Sequence, residues 1–227
     1  KNRPTVIFCG VENAYFTRLL RFVLDIINKI RSVDPDALPQ SCTAKPGDVT
    51  VAKIYELSER AKREFPKHSN TMRRAVSLGR RMFDPLLEIS GLANMQDDLR
   101  FLKLHHLQDV VDKTILRKQL DRAFINVVNA VGVDINRIAP HQWMHYVLQF
   151  VCGLGPRKAQ VLIQATQTRG NRWHNRTQLE DVLQPTVYRN AIGFIRIRPP
   201  EDDYSEDIEL LDDTRIHPED YTYALKI

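Results

Sequence analysis

The chain has 227 residues, of which 43% are hydrophobic, so it is long and apolar enough for one large domain or two small ones. No stretch approaches ~18 consecutive apolar residues, and the N-terminal residues lack a charged leader followed by a long apolar run. We therefore expect a soluble globular protein with neither a membrane span nor a secretion signal. The cysteines Cys9, Cys42 and Cys152 lie far apart without a CxxC pair, which argues against disulfides and a zinc site and indicates a reducing compartment.

The net charge of +5 is distributed unevenly along the chain. Residues 1–103 contain 18 Lys and Arg against 12 Asp and Glu, and residues 104–198 contain 13 against 6. Residues 199–227 contain 2 against 10. Two basic regions are thus followed by an acidic one. The basic regions favour a polyanion such as nucleic acid, although an ordinary solvated surface is equally compatible with so mild an excess.

The first hundred residues are predicted to form an α/β region. The run PTVIFCG is typical of a buried strand, and residues 14–31 space their apolar side chains as an amphipathic helix. After a loop at about residues 32–47, the β-branched residues of DVTVAKIY predict a second strand and ELSERAKREF predicts a helix. A further helix begins near Asn70 and kinks or restarts at Asp84 and Pro85, because proline cannot donate a hydrogen bond within a helix.

The next hundred residues are predicted to be helical. The run LRFLKLHHL, residues 99–107, is interpreted as one short extended element, and helices follow from about Thr114. Gly132 is predicted to end the first of these helices, and Pro140 fits the first turn of a later one. The fold class is therefore mixed, with an α/β region followed by an all-α region.

Residues 151–163, VCGLGPRKAQVLI, have the pattern of a helix-hairpin-helix, and an apolar helix precedes their turn. The two glycines tolerate positive φ and let the backbone approach another surface, while the leucine between them can point into the core. The proline presets the first turn of the second helix, whose amides and dipole form an anion site beside a basic pair. The predicted contacts to nucleic acid are Gly153, Leu154, Gly155, Arg157 and Lys158.

Because these residues meet backbone phosphates and not base edges, binding should be weakly sequence-specific and strongly salt-dependent. The alternative interpretation is an ordinary pair of helices joined by a glycine turn. A second copy is suggested by residues 176–197, but its turn reads LQPTVY and lacks both glycines, so we expect it to be structural. Arg169, Arg172 and Arg176 in the linker could reach phosphates with Trp173 stacking nearby, although a solvated loop is favoured.

Two other patterns bear on catalysis. A ribonuclease-H-type nuclease holds two Mg²⁺ ions with several carboxylates, and only Glu12 and Asp84 are suitably placed here. Asp84 is as easily a helix cap, so a nuclease is disfavoured. His141 and His145 have metal-ligand spacing on one helix, but no glutamate follows His141, so packing or surface histidines are favoured. We expect no catalytic residue, no metal ligand and no cofactor.

Five sequence blocks follow one another along the chain: RRAVSLGRRMFDPLLEI, FINVVNAVGVDINR, VCGLGPRKAQVLI, AIGFIRI and LLDDTRIHPEDY. With these blocks in this order, the chain resembles, over almost its whole length, the suppressor of Ty six family of eukaryotic transcription elongation factors and histone chaperones. Bacterial Tex proteins look similar. One departure is the turn LQPTVY, where relatives usually keep a glycine, and it puts the binding role of the second hairpin in doubt.

The resemblance implies three regions: residues 1–103 as the C-terminal part of a YqgF-type, ribonuclease-H-like domain, 104–198 as a tandem helix-hairpin-helix domain, and 199–227 as the start of a death-like domain. The chain is thus expected to be part of a larger protein. The resemblance also implies a nuclear, non-enzymatic core that meets DNA or RNA backbone, histones and the RNA polymerase II elongation complex. A pure protein-interaction scaffold for histones or the polymerase remains an alternative.

Overall fold

The computed structural model describes residues 3–12, 15–93, 98–198 and 209–226. The chain divides into two compact units, Lys1–Leu92 and Ala93–Ile227. Most of the predicted acidic run, residues 199–208, lies outside the described residues, as does the start of the first predicted helix at Ala14. Within the described ranges, no helix combines the length and the apolar content that a bilayer crossing requires.

The first unit contains a pair of parallel strands joined by a long helix. Strand β1 (Val6–Val11) pairs with β2 (Thr43–Asp48), with Val6 opposite Thr43 and Val11 opposite Asp48. Helix α1 (Phe16–Val33) connects them and packs Ile27 against Cys42 and Ala44 of the strand side. These elements confirm the predicted first strand and amphipathic helix.

The predicted second strand DVTVAKIY was wrong. Residues Thr50–Leu57 form helix α2, and the strand lies earlier, in the sequence TAKPGD. Helix α2 buries Val51, Ala52 and Tyr55, which share one face at helical spacing. Burial of this face, where Ala52 packs against Leu78, therefore outweighs the strand propensity of the β-branched residues in DVTVAKIY.

Three helices complete the first unit: α3 (Glu59–Glu64), α4 (Asn70–Phe83) and α5 (Pro85–Ser90). Each begins at a side-chain cap. Ser58 accepts a hydrogen bond from the amide of Ala61, and Ser69 accepts one from that of Met72. The predicted restart is confirmed, because α4 ends at Phe83, Asp84 caps both helices and α5 begins with Pro85.

The second unit is mostly helical. Its α-helices are α6 (Lys113–Val131), α7 (Ile135–Ile138), α8 (Gly155–Thr168), α9 (Pro185–Ala191) and α10 (Tyr221–Ala224). The 3₁₀ helices are Asp98–Phe101, Gln108–Val110, Gln142–Phe150, Arg176–Asp181, Ile192–Phe194, Leu210–Asp213 and Pro218–Asp220. The parallel strands β3 (Val133–Asp134) and β4 (Ile195–Arg196) bring the two ends of the helical region together.

Two sequence predictions in this unit have opposite outcomes. Helix α6 ends at Gly132, whose φ of +77° confirms the predicted C-terminal glycine. The extended element predicted at residues 99–107 was wrong, because Asp98–Phe101 is a 3₁₀ helix followed by turns. Leu99, 1% exposed, is the one buried residue of the predicted element 99–107, so the segment lacks the alternation of buried and exposed residues that a half-buried strand shows.

Candidate nucleic-acid interface

The predicted hairpin is formed by the 3₁₀ helix Gln142–Phe150, a turn at residues 151–154 and helix α8. The first arm buries Met144, Val147 and Leu148, which is the apolar face that its sequence predicts. Both glycines of the turn have positive φ, +90° at Gly153 and +70° at Gly155. Residues with a Cβ rarely adopt this region, so the turn requires glycine at both positions.

The two glycines of the turn face different surroundings. A Cβ placed on Gly153 would lie 3.1 Å from Cβ of Asn190 and 3.4 Å from the carbonyl oxygen of Val187, both on helix α9. A Cβ placed on Gly155 would meet nothing within 4 Å. Gly153 therefore lets the turn pack against α9, and Gly155 leaves the backbone open toward solvent.

Two buried residues hold the hairpin from inside. Leu154 is 5% exposed, so it points into the core as its place between the glycines predicts. Ala159, also 5% exposed, lies in the first turns of α8, where its small side chain lets the first arm approach.

Asn129 of α6 fixes the turn, and the sequence pattern did not reveal it. Its side-chain amide donates to the carbonyl oxygens of Ile125 and Phe150, at 2.6 and 3.0 Å, and its side-chain oxygen accepts from the amide of Cys152 at 3.0 Å. Asn129 is buried, so these bonds are shielded from water. The signal in the sequence is a single asparagine among the apolar residues of a helix. Residue spacing alone cannot connect this asparagine to a turn that lies more than twenty residues later.

The outer surface of the turn is cationic. Arg157 and Lys158 are both exposed on the first turn of α8, and the Nζ atom of Lys158 donates to the carbonyl oxygen of Gly153 at 3.2 Å. Leu154 stands at the N-cap without a side-chain acceptor, and Pro156 follows in the first turn. Backbone amides at the start of α8 and the positive end of its dipole therefore face the same side as two cations, a combination that binds an anion.

The second hairpin has the same order of elements but a different turn. The 3₁₀ helix Arg176–Asp181 leads to α9 through residues 182–184, and the positive-φ positions among the described residues are Gly132, Gly153, Gly155, Gly170 and Asn171. The turn at 182–184 thus forms without positive φ. Helix α9 instead receives the turn of the first hairpin through Asn190 and Val187.

Cations near the second hairpin are paired with residues 209–226. Arg189 lies 2.9 Å from Glu219, and Asp213 lies 2.7 Å from Arg196 and 3.1 Å from Arg198. The carboxylate of Asp213 helps to raise the pKa of Arg198. Since these arginines already have carboxylate partners, their charges are less available to a phosphate.

Trp173 and Arg176, two linker residues considered as nucleic-acid contacts, are buried in the core. Both the nucleic-acid contact and the solvated loop were therefore wrong predictions for these two residues. Trp173 is 1% exposed and its Nε1 donates to Oγ1 of Thr166 at 2.9 Å, so its ring cannot stack on a base. Arg169 and Arg172 are exposed, and the guanidinium of Arg169 lies 4.7 Å from the centroid of the Trp173 ring and 3.0 Å from Asp181. Trp173 is thus part of the buried core of the second unit.

Arg176 is also buried, and it ties residues 209–226 to the hairpins. Its guanidinium donates to four oxygen atoms, and its backbone amide donates to Asp212 at 2.7 Å. The four acceptors are the carbonyl oxygens of Ile195, Thr214 and Ile216 and the hydroxyl of Tyr221, at 2.6–2.9 Å. The Tyr221 hydroxyl donates in turn to Asp212. These bonds explain why Arg176 can be buried, since burial of a guanidinium costs free energy unless its donors are satisfied.

The carboxylates considered for catalysis and His145 have structural partners, and His141 is exposed. Glu12 is 2.9 Å from Lys53 and 3.0 Å from Arg74, and the bond from Lys53 lowers its pKa. Asp84 caps α5 by accepting from the amide of Leu87 at 3.2 Å. Burial lowers the pKa of His145, whose Nε2 lies 3.0 Å from the carbonyl oxygen of Ala139. In the part of the chain that the structure describes, no three His, Cys, Asp or Glu residues are grouped to hold a metal ion.

The arginines of α4 are used inside the first unit. Arg73 donates to the carbonyl oxygen of Phe65, and the other three form ion pairs with carboxylates. The pairs are Arg74 with Glu56 at 2.6 Å, Arg80 with Glu64 at 2.7 Å and Arg81 with Asp48 at 2.7 Å. These four arginines therefore stabilise packing within the first unit, whereas the cations of the hairpin face solvent.

The chain matches a helix-hairpin-helix motif family over residues 97–198. It is 37% identical to the Suppressor of Ty 6 homolog of Caenorhabditis briggsae, over all of this chain and 15% of that protein. It is 39% identical to transcription elongation factor SPT6 of Drosophila melanogaster, over 79% of this chain and 10% of that protein. The SPT6 protein of Candida albicans is 34% identical over 99% of this chain and 16% of its own length.

These relatives are many times longer than the chain, which spans 10 to 16% of their lengths. The identity extends along both compact units, beyond the hairpin alone. From these matches we conclude that this chain belongs to the Suppressor of Ty 6 family.

Proposed function

We propose that the chain is a non-enzymatic, nucleic-acid-binding core of a nuclear transcription elongation factor, and that it holds the phosphate backbone without sequence specificity. The observation that carries the proposal is the exposed start of α8, where Arg157 and Lys158 stand beside the open backbone of Gly155. The match of residues 97–198 to a helix-hairpin-helix family supports nucleic acid as the ligand.

The contact follows from the geometry of the turn. A phosphate oxygen accepts from backbone amides at the start of α8, and the missing Cβ of Gly155 allows it to approach. Arg157 supplies a further cation, while Lys158 both faces the phosphate and holds the turn through the Gly153 carbonyl. These groups meet the backbone and not base edges, so the interaction is sequence-tolerant and weakens as salt is raised.

The remainder of the chain is proposed to act as a scaffold. Residues 1–103 would be the C-terminal part of a ribonuclease-H-like domain, 104–198 a tandem helix-hairpin-helix domain and 199–227 the start of a death-like domain. The parallel β1–β2 pair joined by α1 supports the first assignment. We further propose histones and the RNA polymerase II elongation complex as partners of the whole protein, by similarity to relatives named transcription elongation factors.

The test measures binding of short DNA and RNA to the 227-residue chain by fluorescence anisotropy while salt is raised. We compare the wild type with Arg157→Ala/Lys158→Ala. Gly153 is left unchanged, because a side chain there would disturb the contact with α9 as well as any phosphate. At about 50 mM salt we expect the double variant to lose roughly tenfold in affinity, and its log–log salt slope to fall by about 2, one unit for each lost phosphate contact.

The matched control is Arg189→Ala/Arg198→Ala, which removes the same charge from exposed residues paired with Glu219 and Asp213. We expect it to change the affinity less than about threefold. Equal losses in both double variants would assign binding to diffuse charge. If the wild type does not bind DNA or RNA, the chain acts as a protein-interaction scaffold and the phosphate site is disproved. Cleavage of the same substrates with Mg²⁺, abolished by Asp84→Asn, would show a nuclease instead.

A further inference from the structure

A cleft of about 480 Å³ lies between the loop that follows the 3₁₀ helix Asp98–Phe101 and the start of α6. It is separate from the hairpin residues that carry the proposed function. Its lining combines apolar side chains, Phe101, Val111 and Leu116, with cationic ones, Arg100, Lys103 and Lys113.

The loop that forms one wall of the cleft is held in place by Gln108. This side chain is buried, and its amide donates to the carbonyl oxygens of Arg100 and Leu102, each at 3.1 Å. Its side-chain oxygen accepts from the amide of Leu104, also at 3.1 Å. Because one side chain satisfies three backbone groups, the wall is preformed and a ligand would not have to order it.

Apolar side chains are unusually exposed around this cleft. Between residues 101 and 115, six large apolar side chains are each more than 40% exposed, and Val110 is 83% exposed. They are Phe101, Leu104, Leu107, Val110, Val111 and Ile115. Single exposed apolar residues are ordinary, but a cluster of them rimmed by charges is typical of a protein-binding surface.

The charge at the rim indicates what kind of partner fits. Lys103 pairs with Asp109 at 2.7 Å, and both side chains are largely exposed. Arg100 lies over the Phe101 ring at 4.7 Å, and the described lining residues include three cations, Arg100, Lys103 and Lys113, against one carboxylate, Asp109. The rim therefore has a surplus of positive charge, which complements a partner with carboxylates beside an apolar side chain.

We propose that this cleft binds an acidic, amphipathic segment of another protein. An apolar side chain of the partner would lie on Phe101, Val111 and Leu116, and its carboxylates would pair with Arg100 and Lys113. Single-stranded nucleic acid fits less well, because bases stack on successive aromatic rings and Phe101 is the one aromatic residue among the described lining residues. The exposed residues around the ring are aliphatic, which suits a protein side chain.

The probe is a fluorescein-labelled synthetic peptide of 16 residues, roughly four helical turns, with Leu and Phe on one helical face and Asp and Glu on the other. A second peptide carries Lys in place of every acid, and a single-stranded oligonucleotide is the third probe. Anisotropy is measured with the wild type, with Arg100→Glu/Lys113→Glu and with Phe101→Ser. The matched control is Lys118→Glu/Arg122→Glu, the same charge change on exposed residues of α6 that do not line the cleft.

We expect the wild type to bind the acidic peptide at least roughly tenfold more tightly than the basic one. Arg100→Glu/Lys113→Glu should lose at least about tenfold, Phe101→Ser should lose several-fold, and the control should stay within about twofold. No binding of the acidic peptide, or an equal loss in the control, overturns the proposal. Loss of oligonucleotide binding instead of peptide binding in the cleft variants would assign the surface to nucleic acid.

Should a variant fold poorly, methyl spectra of the wild-type protein decide the question. Addition of the acidic peptide should shift the methyl resonances of Val110, Val111 and Ile115, and leave Val161 of α8, which is similarly exposed, unshifted. Shifts spread evenly over both regions, or confined to α8, would contradict the site. This outcome is independent of the hairpin experiment, which uses different residues and a nucleic-acid probe.

Discussion

The two hairpins of the second unit have the same order of elements and different surroundings. In the first, the turn uses Gly153 and Gly155 at positive φ, and two exposed cations follow. In the second, the turn has no positive φ and Arg189 is paired with Glu219. The turn conformation and the pairing of the charges therefore decide whether a helical hairpin presents free cations to solvent or supports its neighbours.

The largest expected effect tests the supporting role of the second hairpin. Arg176→Met removes a buried guanidinium and leaves the carbonyl oxygens of Ile195, Thr214 and Ile216 without their donor. We expect the free energy of unfolding in urea to fall by about 3–5 kcal/mol. The control Arg189→Met, at an exposed position, should cost less than about 1 kcal/mol. Similar values for the two variants would mean that the buried network contributes little.

The next effect separates the two glycines of the first turn. Gly153→Ala combines an unfavourable φ with a contact on Asn190, and should cost about 2–4 kcal/mol. Gly155→Ala has the φ penalty alone, because the space beside it is open, and should cost about 1–2 kcal/mol. Thermal and urea unfolding measure both variants. The packing argument fails if Gly155→Ala proves as destabilising as Gly153→Ala.

A smaller effect is expected at Asn129, which connects α6 to the first turn. Asn129→Ala leaves the Cys152 amide and the Phe150 carbonyl without partners, and should cost about 2 kcal/mol. It should also weaken nucleic-acid binding, since the turn loses its anchor. Gln119→Ala, an exposed position of the same helix, is the control and should leave both quantities nearly unchanged. A destabilised variant that binds normally would show that Asn129 supports the fold without positioning the site.

The smallest expected effect is a pH dependence of the free energy of unfolding, which arises from His145 in the first arm of the first hairpin. Burial lowers the pKa of His145 in the folded protein, so the unfolded chain takes up a proton first as the pH falls below about 6.5. Stability from this group is therefore complete above pH 6.5 and declines as the pH falls toward the lower folded pKa. The decline stays below about 1.4 kcal/mol per pH unit, the limit for one proton. Urea unfolding of His145→Gln between pH 7 and 5 should show a shallower slope, and identical slopes would contradict the assignment.

Much of the fold follows from local patterns, and the exceptions have a tertiary cause. The apolar periodicity of α1 and the positions of Asp84 and Pro85 are signals within a few residues, and the structure has those elements. The strand TAKPGD contains proline and glycine, so its propensity for a sheet is low, and it forms because it pairs along its whole length with β1. A partner so distant in the sequence leaves no mark on local spacing.

The candidate site shows the same division. The positive φ of both glycines and the burial of Leu154 were predictable, because the turn and the core demand them locally. Asn129 and the contact between Gly153 and α9 were not, since they join positions far apart in the sequence. Trp173 was misjudged for a related reason: an aromatic between arginines is typical of a nucleic-acid contact, and only the fold reveals its partner Thr166. The predicted phosphate contacts themselves stay a prediction.

The packing of Gly153 on α9 sets a limit on transplanting the hairpin into another scaffold. A peptide of residues 151–163 would contain every predicted phosphate contact, but neither Asn129 nor the surface of α9 on which the turn rests. A graft into a host protein would have to carry α6 and the second hairpin along with the turn. The smallest transferable unit is therefore about the length of residues 113–198, and a protein engineer who copies GLGPRK alone would obtain the charges without the shape.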